Sequence, residues 1–381
     1  VKLILFLLLG IAVGIVAGLL PFDFIAQLLI TFSDVFGQWI SFLIPFIILF
    51  FIASGIANIG QGSGRLVGST VGLAYASTVI AGLLAFFIAS FLMPYIAENR
   101  TLPAESAAPE SFFTFEIAPL MGVMTALVIA FAFGISMAAL QTKTLITVFD
   151  EGKKVVEALI SKALIPFLPI YIAGIFAGLS AEGTAFTMVQ IFGLVLLVAI
   201  TTHWLWLSVQ YLVAGLASGE NMFKLIKTML PAYVTALGTM SSAATIPVTL
   251  RQARKNGVSE NITNFVIPLG ATIHLSGSII TIVSCSVAVM TVMGDLATPS
   301  FTAFFPAILM LGVVMVAAPG VPGGAIVAAA GVLTSILGFT EAAVGLMIAL
   351  YLTQDSFGTA ANVTGDGAIA KVIDRFYKQA S

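Results

Sequence analysis

The chain has 381 residues, 60% of them hydrophobic and only 8% charged, with a formal net charge of −2 and a mean hydropathy of +1.13. Soluble domains carry about 25% charged residues, so a soluble globular protein is excluded; no basic, aromatic-interleaved patch marks a nucleic-acid binder. Several runs are long enough to cross about 30 Å of hydrocarbon and are apolar on every face, unlike the alternating strands of a β-barrel. They predict an all-α, polytopic membrane protein. A single cysteine, Cys285, rules out an intramolecular disulfide framework.

In chain order, spans are expected at 1–20, 35–58, 66–96, 116–140, 155–180, 187–217, 261–292 and 341–370. The first run follows Lys2 and has no convincing cleavage site before Pro21, so a first span is expected rather than a signal peptide. ENRTLPAESAAPE (98–110) is the clearest loop. Cytoplasmic loops are enriched in lysine and arginine. Lys2, Arg65, the group Lys143, Lys153 and Lys154, and the pair Lys224 and Lys227 fall at alternate loops, which places them and the N-terminus inside. The intervening loops hold Asp23, the acidic 98–110 stretch and Glu182.

Two further apolar segments break this parity. Segment 229–250 has Lys224 and Lys227 before it and Arg251, Arg254 and Lys255 after it, so a single crossing would force one basic cluster outside. Segment 301–338 is flanked by Asp295 and Glu341. Both are expected to be re-entrant hairpins, with tips at GTMSSAATIP (238–247) and APGVPGGA (318–325). Non-helical backbone at membrane depth is tolerated only when buried in protein or lining a wet cavity. Opposed hairpins at corresponding places are the sign of an inverted-repeat transporter. The alternative is a ten-span bundle with Gly/Pro kinks.

The last span carries the chemistry. At about 100° per residue, Asp355, Thr359, Asn362 and Asp366 fall within roughly 60° of one another and form a stripe about 16 Å long. An aspartate at a span's centre costs ~2.5–3.5 kcal/mol, and such residues mark ion or substrate paths. Carboxylate, amide and main-chain oxygens suit sodium; an anion beside amide or hydroxyl donors suits a zwitterionic amino acid. Ser241 and Ser242 stand at a broken helix tip, where free N–H groups favour a carboxylate. In IPLGATIHLSGS (267–278), Pro268, Gly270 and Gly277 bracket a stretch expected to unwind. His274 within it is open to three readings: a packed hydrogen-bonded residue, a proton carrier or a cation neighbour. His203 reads as structural.

Serines before a Pro-Val-Thr-Leu-Arg run, PLGATI, PGVPGG and NVTGD occur in one order. Together they resemble the dicarboxylate/amino acid:cation symporter family, which includes glutamate and neutral amino acid transporters. The likeness is specific over about 238–370 and generic over the first six spans. It implies eight spans plus two hairpins, usually a homotrimer, and elevator-like alternating access with the second hairpin as outer gate. Residues 1–217 would supply six spans, mainly scaffold, with spans 66–96 and 187–217 contributing to the transport domain. Residues 222–376 would form the core of that domain: hairpin 222–256, span 261–292, hairpin 300–338 and span 341–376. Location would be the prokaryotic inner membrane, with both termini cytoplasmic.

Carried over position by position, the resemblance implies that Asp355 holds a substrate ammonium and Asn362 its carboxylate. Ser241, Ser242, Ser278, Val321, Gly323, Gly358 and Thr359 would complete the substrate site. One sodium would use Asp366 with carbonyls of Gly270, His274 and Asn362. A second would use main chain around Thr272 and Leu275 and near Met315, Val316 and Ala318. Two departures stand out. Acidic-substrate members have an arginine at the position of Gly358, so the bidentate partner for a side-chain carboxylate is missing; the pattern from Asp355 to Asn362 looks more like the serine/threonine branch. The family's Asn-Met-Asp-Gly-Thr reads His274-Leu275-Ser276-Gly277-Ser278 here, which removes the carboxylate of a third cation site whose other ligands would match Tyr75 and Thr78.

The expected function is therefore symport of about two sodium ions with a small neutral amino acid such as serine, threonine or alanine, with no organic cofactor. Proton coupling through His274, a dicarboxylate substrate and a passive channel are the alternatives. An intramembrane hydrolase using Ser241 or Ser242 with His274 lacks any activating spacing.

Overall fold

A computed structural model describes residues 2–20, 23–59, 64–97, 109–114, 116–293, 296–318 and 322–378. Pro21, residues 98–108 of the acidic loop, Asp295 and Val321 lie outside the described residues. Among those described there are helices and no strand.

Long helices come first: α1 (Lys2–Leu19), α2 (Asp23–Ile59), α3 (Gly64–Ala97) and α4 (Val123–Leu140). Two boundaries differ from expectation. Helix α2 begins at Asp23 rather than near 35, because nothing in its first turns breaks a helix and Asp23 sits favourably in the first turn. Helix α4 begins at Val123 rather than 116, since Pro119 lies ahead of it and Gly122 caps it in an extended conformation.

The expected span 155–180 is corrected more substantially. Helix α5 (Lys143–Leu159) already contains Lys153 and Lys154, which were expected in a loop. It is amphipathic: Ile146, Phe149 and Val156 are buried, Lys143 and Lys154 are exposed, and Lys153 lies over the Phe51 ring at 5.3 Å. Asp150 on α5 accepts hydrogen bonds from Ser54 at 2.6 Å and Asn58 at 3.0 Å, tying it to α2. A π turn (Ile160–Leu164) and a 3₁₀ turn (Ile165–Phe167) then lead into α6 (Leu168–Ala181). Pro166 and Pro169 lack the N–H that a continuous helix needs there.

After α7 (Ala185–Ser218), the expected hairpins appear as helix–break–helix units: α8 (Met222–Thr239) with α9 (Ser242–Lys255), and α12 (Phe301–Val316) with α13 (Gly324–Leu337). Each pair packs on itself. At the first tip Met240 adopts the left-handed conformation and Ser241 caps α9 through its Oγ, which accepts from Ala244 N at 3.2 Å. Between the pairs, the expected span 261–292 is broken into α10 (Glu260–Ile273) and α11 (Ser276–Val292) at the bracketed stretch. The final helix, α14 (Glu341–Lys378), is continuous for 38 residues.

Helix α14 is the hub: α7, α8, α9, α10 and α11 all pack on it. A second packing group joins α1, α2, α4 and α6. Six helical stretches among the described residues are long and apolar enough to cross a membrane. Among them, Glu260–Val292 is 83% buried by protein against 28% for Val123–Leu140, so the broken stretch is the inner one.

Glycines allow the close contacts. Gly10, Gly14 and Gly18 recur every four residues on α1 and lie against main-chain carbonyls of Pro169, Ala173 and Ala177. This small-residue spacing lets two backbones approach where lipid supplies no hydrophobic drive. Substituting Gly14→Ala should cost about 1–3 kcal/mol by overpacking, seen as a lower melting temperature of the purified protein in detergent. The control Gly178→Ala, where an added methyl meets nothing within 4 Å, should not lower it.

Candidate functional site

The break at His274–Leu275 leaves two helix ends inside protein, each with main-chain groups that lack helical partners. Leu275, at the N-cap of α11, offers no side-chain cap. The cap comes from α14 instead. Asn362 Oδ1 accepts from Gly277 N at 2.7 Å and from Ser278 N at 3.2 Å, and its Nδ2 donates to Ser278 Oγ at 2.9 Å. The Gly277 carbonyl is 2.9 Å from His203 Nε2, so α7 grips the same turn. A Cβ at Gly277 would collide with the Gly358 carbonyl, which explains why this turn presses bare backbone against α14.

Two turns toward the start of α14, Asp355 is 4% exposed. Its Oδ2 accepts from Gly323 N at 2.8 Å and its Oδ1 from Thr359 Oγ1 at 3.4 Å. Gly323 caps α13 with φ of +75°, in the left-handed region, and a side chain there would also strike Leu352. The second hairpin thus aims a main-chain N–H at the stripe's first carboxylate.

Toward the other end, Asp366 Oδ1 is 2.9 Å from His274 Nδ1, both side chains being at most 1% exposed. His274 Nε2 is 2.9 Å from Ser77 Oγ, which accepts from Gln210 Nε2 at 2.9 Å. Gly270 lies against the carboxylate; a Cβ there would be 2.8 Å from Asp366 Oδ1. Buried oxygens remain around the break without a hydrogen-bond partner: Asp366 Oδ2, Gln210 Oε1, Ser276 Oγ and Thr364 Oγ1. Buried polar atoms are normally paired, and hard oxygen donors of this kind fit a sodium ion.

The structure therefore brings together Gly323, Asp355, Thr359, Asn362 and Ser278, with Gly358 packed on Gly277, and separately Gly270, His274 and Asp366. Of the residues expected for the second sodium, Val316 packs into the small core that holds Ile273, and Leu275 packs against the main core, to which Met315 and Ala318 belong. Thr272 turns its hydroxyl to Leu269 O at 2.7 Å. Tyr75 Oη donates to Leu309 O and Thr78 Oγ1 to Ala74 O, and neither bonds Ser276, whose hydroxyl is unpartnered. Ser241 spends its hydroxyl on the tip itself, and neither Ser241 nor Ser242 hydrogen-bonds α14 among the described residues. Val321 lies outside them.

Ser77 and Gln210 were missed by sequence reasoning. Gln210, an isolated amide in an apolar span, was a readable signal; Ser77 was not, because a hydroxyl in a helix commonly bonds its own backbone.

The sequence profile of the Sodium:dicarboxylate symporter family matches residues 3–376. The chain belongs to this family. It is a membrane transport protein of the amino-acid symport type, not an enzyme. The chain is similar to the serine/threonine transporter SstT of Acinetobacter baumannii, 28% identical over 397 residues that cover 98% of this chain and 95% of the relative. It is also similar to excitatory amino acid transporter 4 of Mus musculus, 34% identical over 170 residues, 43% of this chain and 29% of that protein. The corresponding protein of Rattus norvegicus gives the same identity and coverage.

The capping role of Asn362 has a consequence independent of any ligand. In Asn362→Leu, of similar volume, two buried N–H groups lose their acceptor at about 1–3 kcal/mol each. The melting temperature should fall by several degrees with neither sodium nor amino acid present.

Proposed function

We propose that this chain couples sodium influx to uptake of a small neutral amino acid of the serine, threonine or alanine type. One observation carries the reading: Asp355 and Asn362 stand two turns apart on one buried helix, with Gly358 between them where the acidic-substrate members of the family carry arginine. Asp355 holds the ammonium, with Gly323 N–H as its neighbour from the hairpin tip. Asn362, steadied by Gly277 and Ser278, offers its remaining Nδ2 hydrogen to the carboxylate, aided by Thr359 and the serines of the first tip. With no guanidinium, a second carboxylate on the substrate has no partner. Similarity to a serine/threonine transporter over almost the whole chain supports the same choice.

Sodium travels as co-substrate. Asp366 with the carbonyls of Gly270, His274 and Asn362 forms one site, and the helix ends near Thr272, Leu275, Met315, Val316 and Ala318 form the other. Tyr75, Thr78 and Ser276 supply no carboxylate, so a third ion has no strong ligand. Eight spans and two re-entrant hairpins, divided as 1–217 and 222–376, work as an elevator in a homotrimer of the bacterial inner membrane with both termini inside.

Uptake into proteoliposomes should require a sodium gradient, persist without a pH gradient and show trans-stimulated exchange, which a channel lacks. Reversal potentials should give two sodium ions per amino acid; three would overturn the ion assignment, and sodium-independent uptake would overturn the coupling. Asp355→Asn should weaken serine affinity about 100-fold, the loss of roughly 3 kcal/mol expected when one partner of a buried charge pair is removed. Thermal stabilisation by serine or threonine should appear only in sodium.

A further inference from the structure

The Asp366 carboxylate ends a chain of buried hydrogen bonds that crosses four helices. Gln210 on α7 donates from Nε2 to Ser77 Oγ on α3 at 2.9 Å. Ser77 Oγ stands 2.9 Å from His274 Nε2, and His274 Nδ1 stands 2.9 Å from Asp366 Oδ1 on α14. All four side chains are buried. The role of each atom follows from what its group can do. An ionised carboxylate only accepts, so Nδ1 carries the imidazole proton and Nε2 of the neutral ring accepts from the Ser77 hydroxyl. Gln210 Nε2 is also 3.4 Å from His274 Nε2, where an amide N–H again meets an acceptor. Every donor points one way, toward Asp366.

The two oxygens of that carboxylate are left in different surroundings. Oδ1 is boxed in: it takes the imidazole N–H, and a Cβ at Gly270 would lie 2.8 Å from it. Oδ2 is buried and has no hydrogen-bond partner among the described residues. The ring reaches α14 only because Gly365 has no side chain; a Cβ there would be 2.8 Å from His274 Cε1 and 2.8 Å from Gln210 Oε1. A histidine serving as core filler needs no hydroxyl and amide lined up behind it. Groups that hydrogen-bond an ion's ligand fix its orientation, and removing them weakens ion binding.

We propose that the His274 imidazole, held by Ser77 and Gln210, is a positioning residue for sodium: it pins Asp366 Oδ1, presents Oδ2 to the ion and so sets sodium affinity. This rests on the sodium-symport reading above, with the ion as co-substrate. The carboxylate touches the ion, and the imidazole acts through the carboxylate as a fixed donor.

The test measures the sodium concentration that half-stabilises the purified full chain against heat in choline buffer, with no amino acid present. Sodium-driven serine uptake in proteoliposomes gives a second half-saturation value. His274→Leu removes the donor and should raise both values about tenfold, as the loss of such a partner does. His274→Asn keeps an N–H where Nδ1 stands and should hold both values within about threefold of native. A purely structural role would lower the melting temperature of both variants in choline without moving the sodium half-saturation. Values within about twofold of native in His274→Leu overturn the proposal while leaving the symport reading intact, and so does a His274→Asn as weak as His274→Leu. Should His274→Leu not fold, Ser77→Ala decides. The ring then loses the hydroxyl that holds it, and half-saturation should rise about threefold; a native value overturns the proposal. A native protein that sodium neither stabilises nor drives would defeat the symport reading and this one with it.

Discussion

A helix broken inside protein must find partners for its severed main chain, and the rest of this site follows from how that need is met at His274–Leu275. Water is not at hand, and an unpaired N–H or carbonyl in such surroundings is costly. Asn362 from α14 caps the α11 end, and His203 from α7 holds the Gly277 carbonyl. Both contacts demand that α7, α11 and α14 approach closely at one level. Gly277 makes that possible, since any side chain there would strike α14.

With the break anchored, the polar stripe on α14 gains three distinct neighbours along its length. Asp355 meets the N–H at the tip of the second hairpin, Asn362 meets the start of α11, and Asp366 meets His274 at the end of α10. Each neighbour is a helix terminus or belongs to one, so each carboxylate or amide lies where main-chain dipoles end. On the function proposed above, an ammonium at Asp355 would share the carboxylate with Gly323 N–H, which would link ligand occupancy to that hairpin tip through one hydrogen bond.

Much of this is legible in the sequence. Charge parity picks out both helix–break–helix segments, because basic clusters stand on both sides of 229–250 and no lysine or arginine flanks 301–338. Pro268, Gly270 and Gly277 announced the broken stretch, and a 100° period gathered Asp355, Thr359, Asn362 and Asp366 on one face. The failures share a cause. Helix α5 departs from the expected loop because its lysines carry a topological signal, while its apolar face at Ile146, Phe149 and Val156 is too narrow to register as a span. Ser77 and Gln210 beside His274 depend on which helices meet, and that information lies in three-dimensional packing rather than in any local pattern.

Gly277 and Gly358 touch each other, yet they are glycines for different reasons. At Gly277 a methyl would collide with the Gly358 carbonyl and with Ala361, so packing alone requires the residue. At Gly358 a methyl would rest at 3.4 Å from its neighbours, which is ordinary contact, so packing does not exclude a methyl there. On the function proposed above, the position where acidic-substrate members of the family carry arginine offers no cation here, so a carboxylate side chain brought there would be desolvated without a partner.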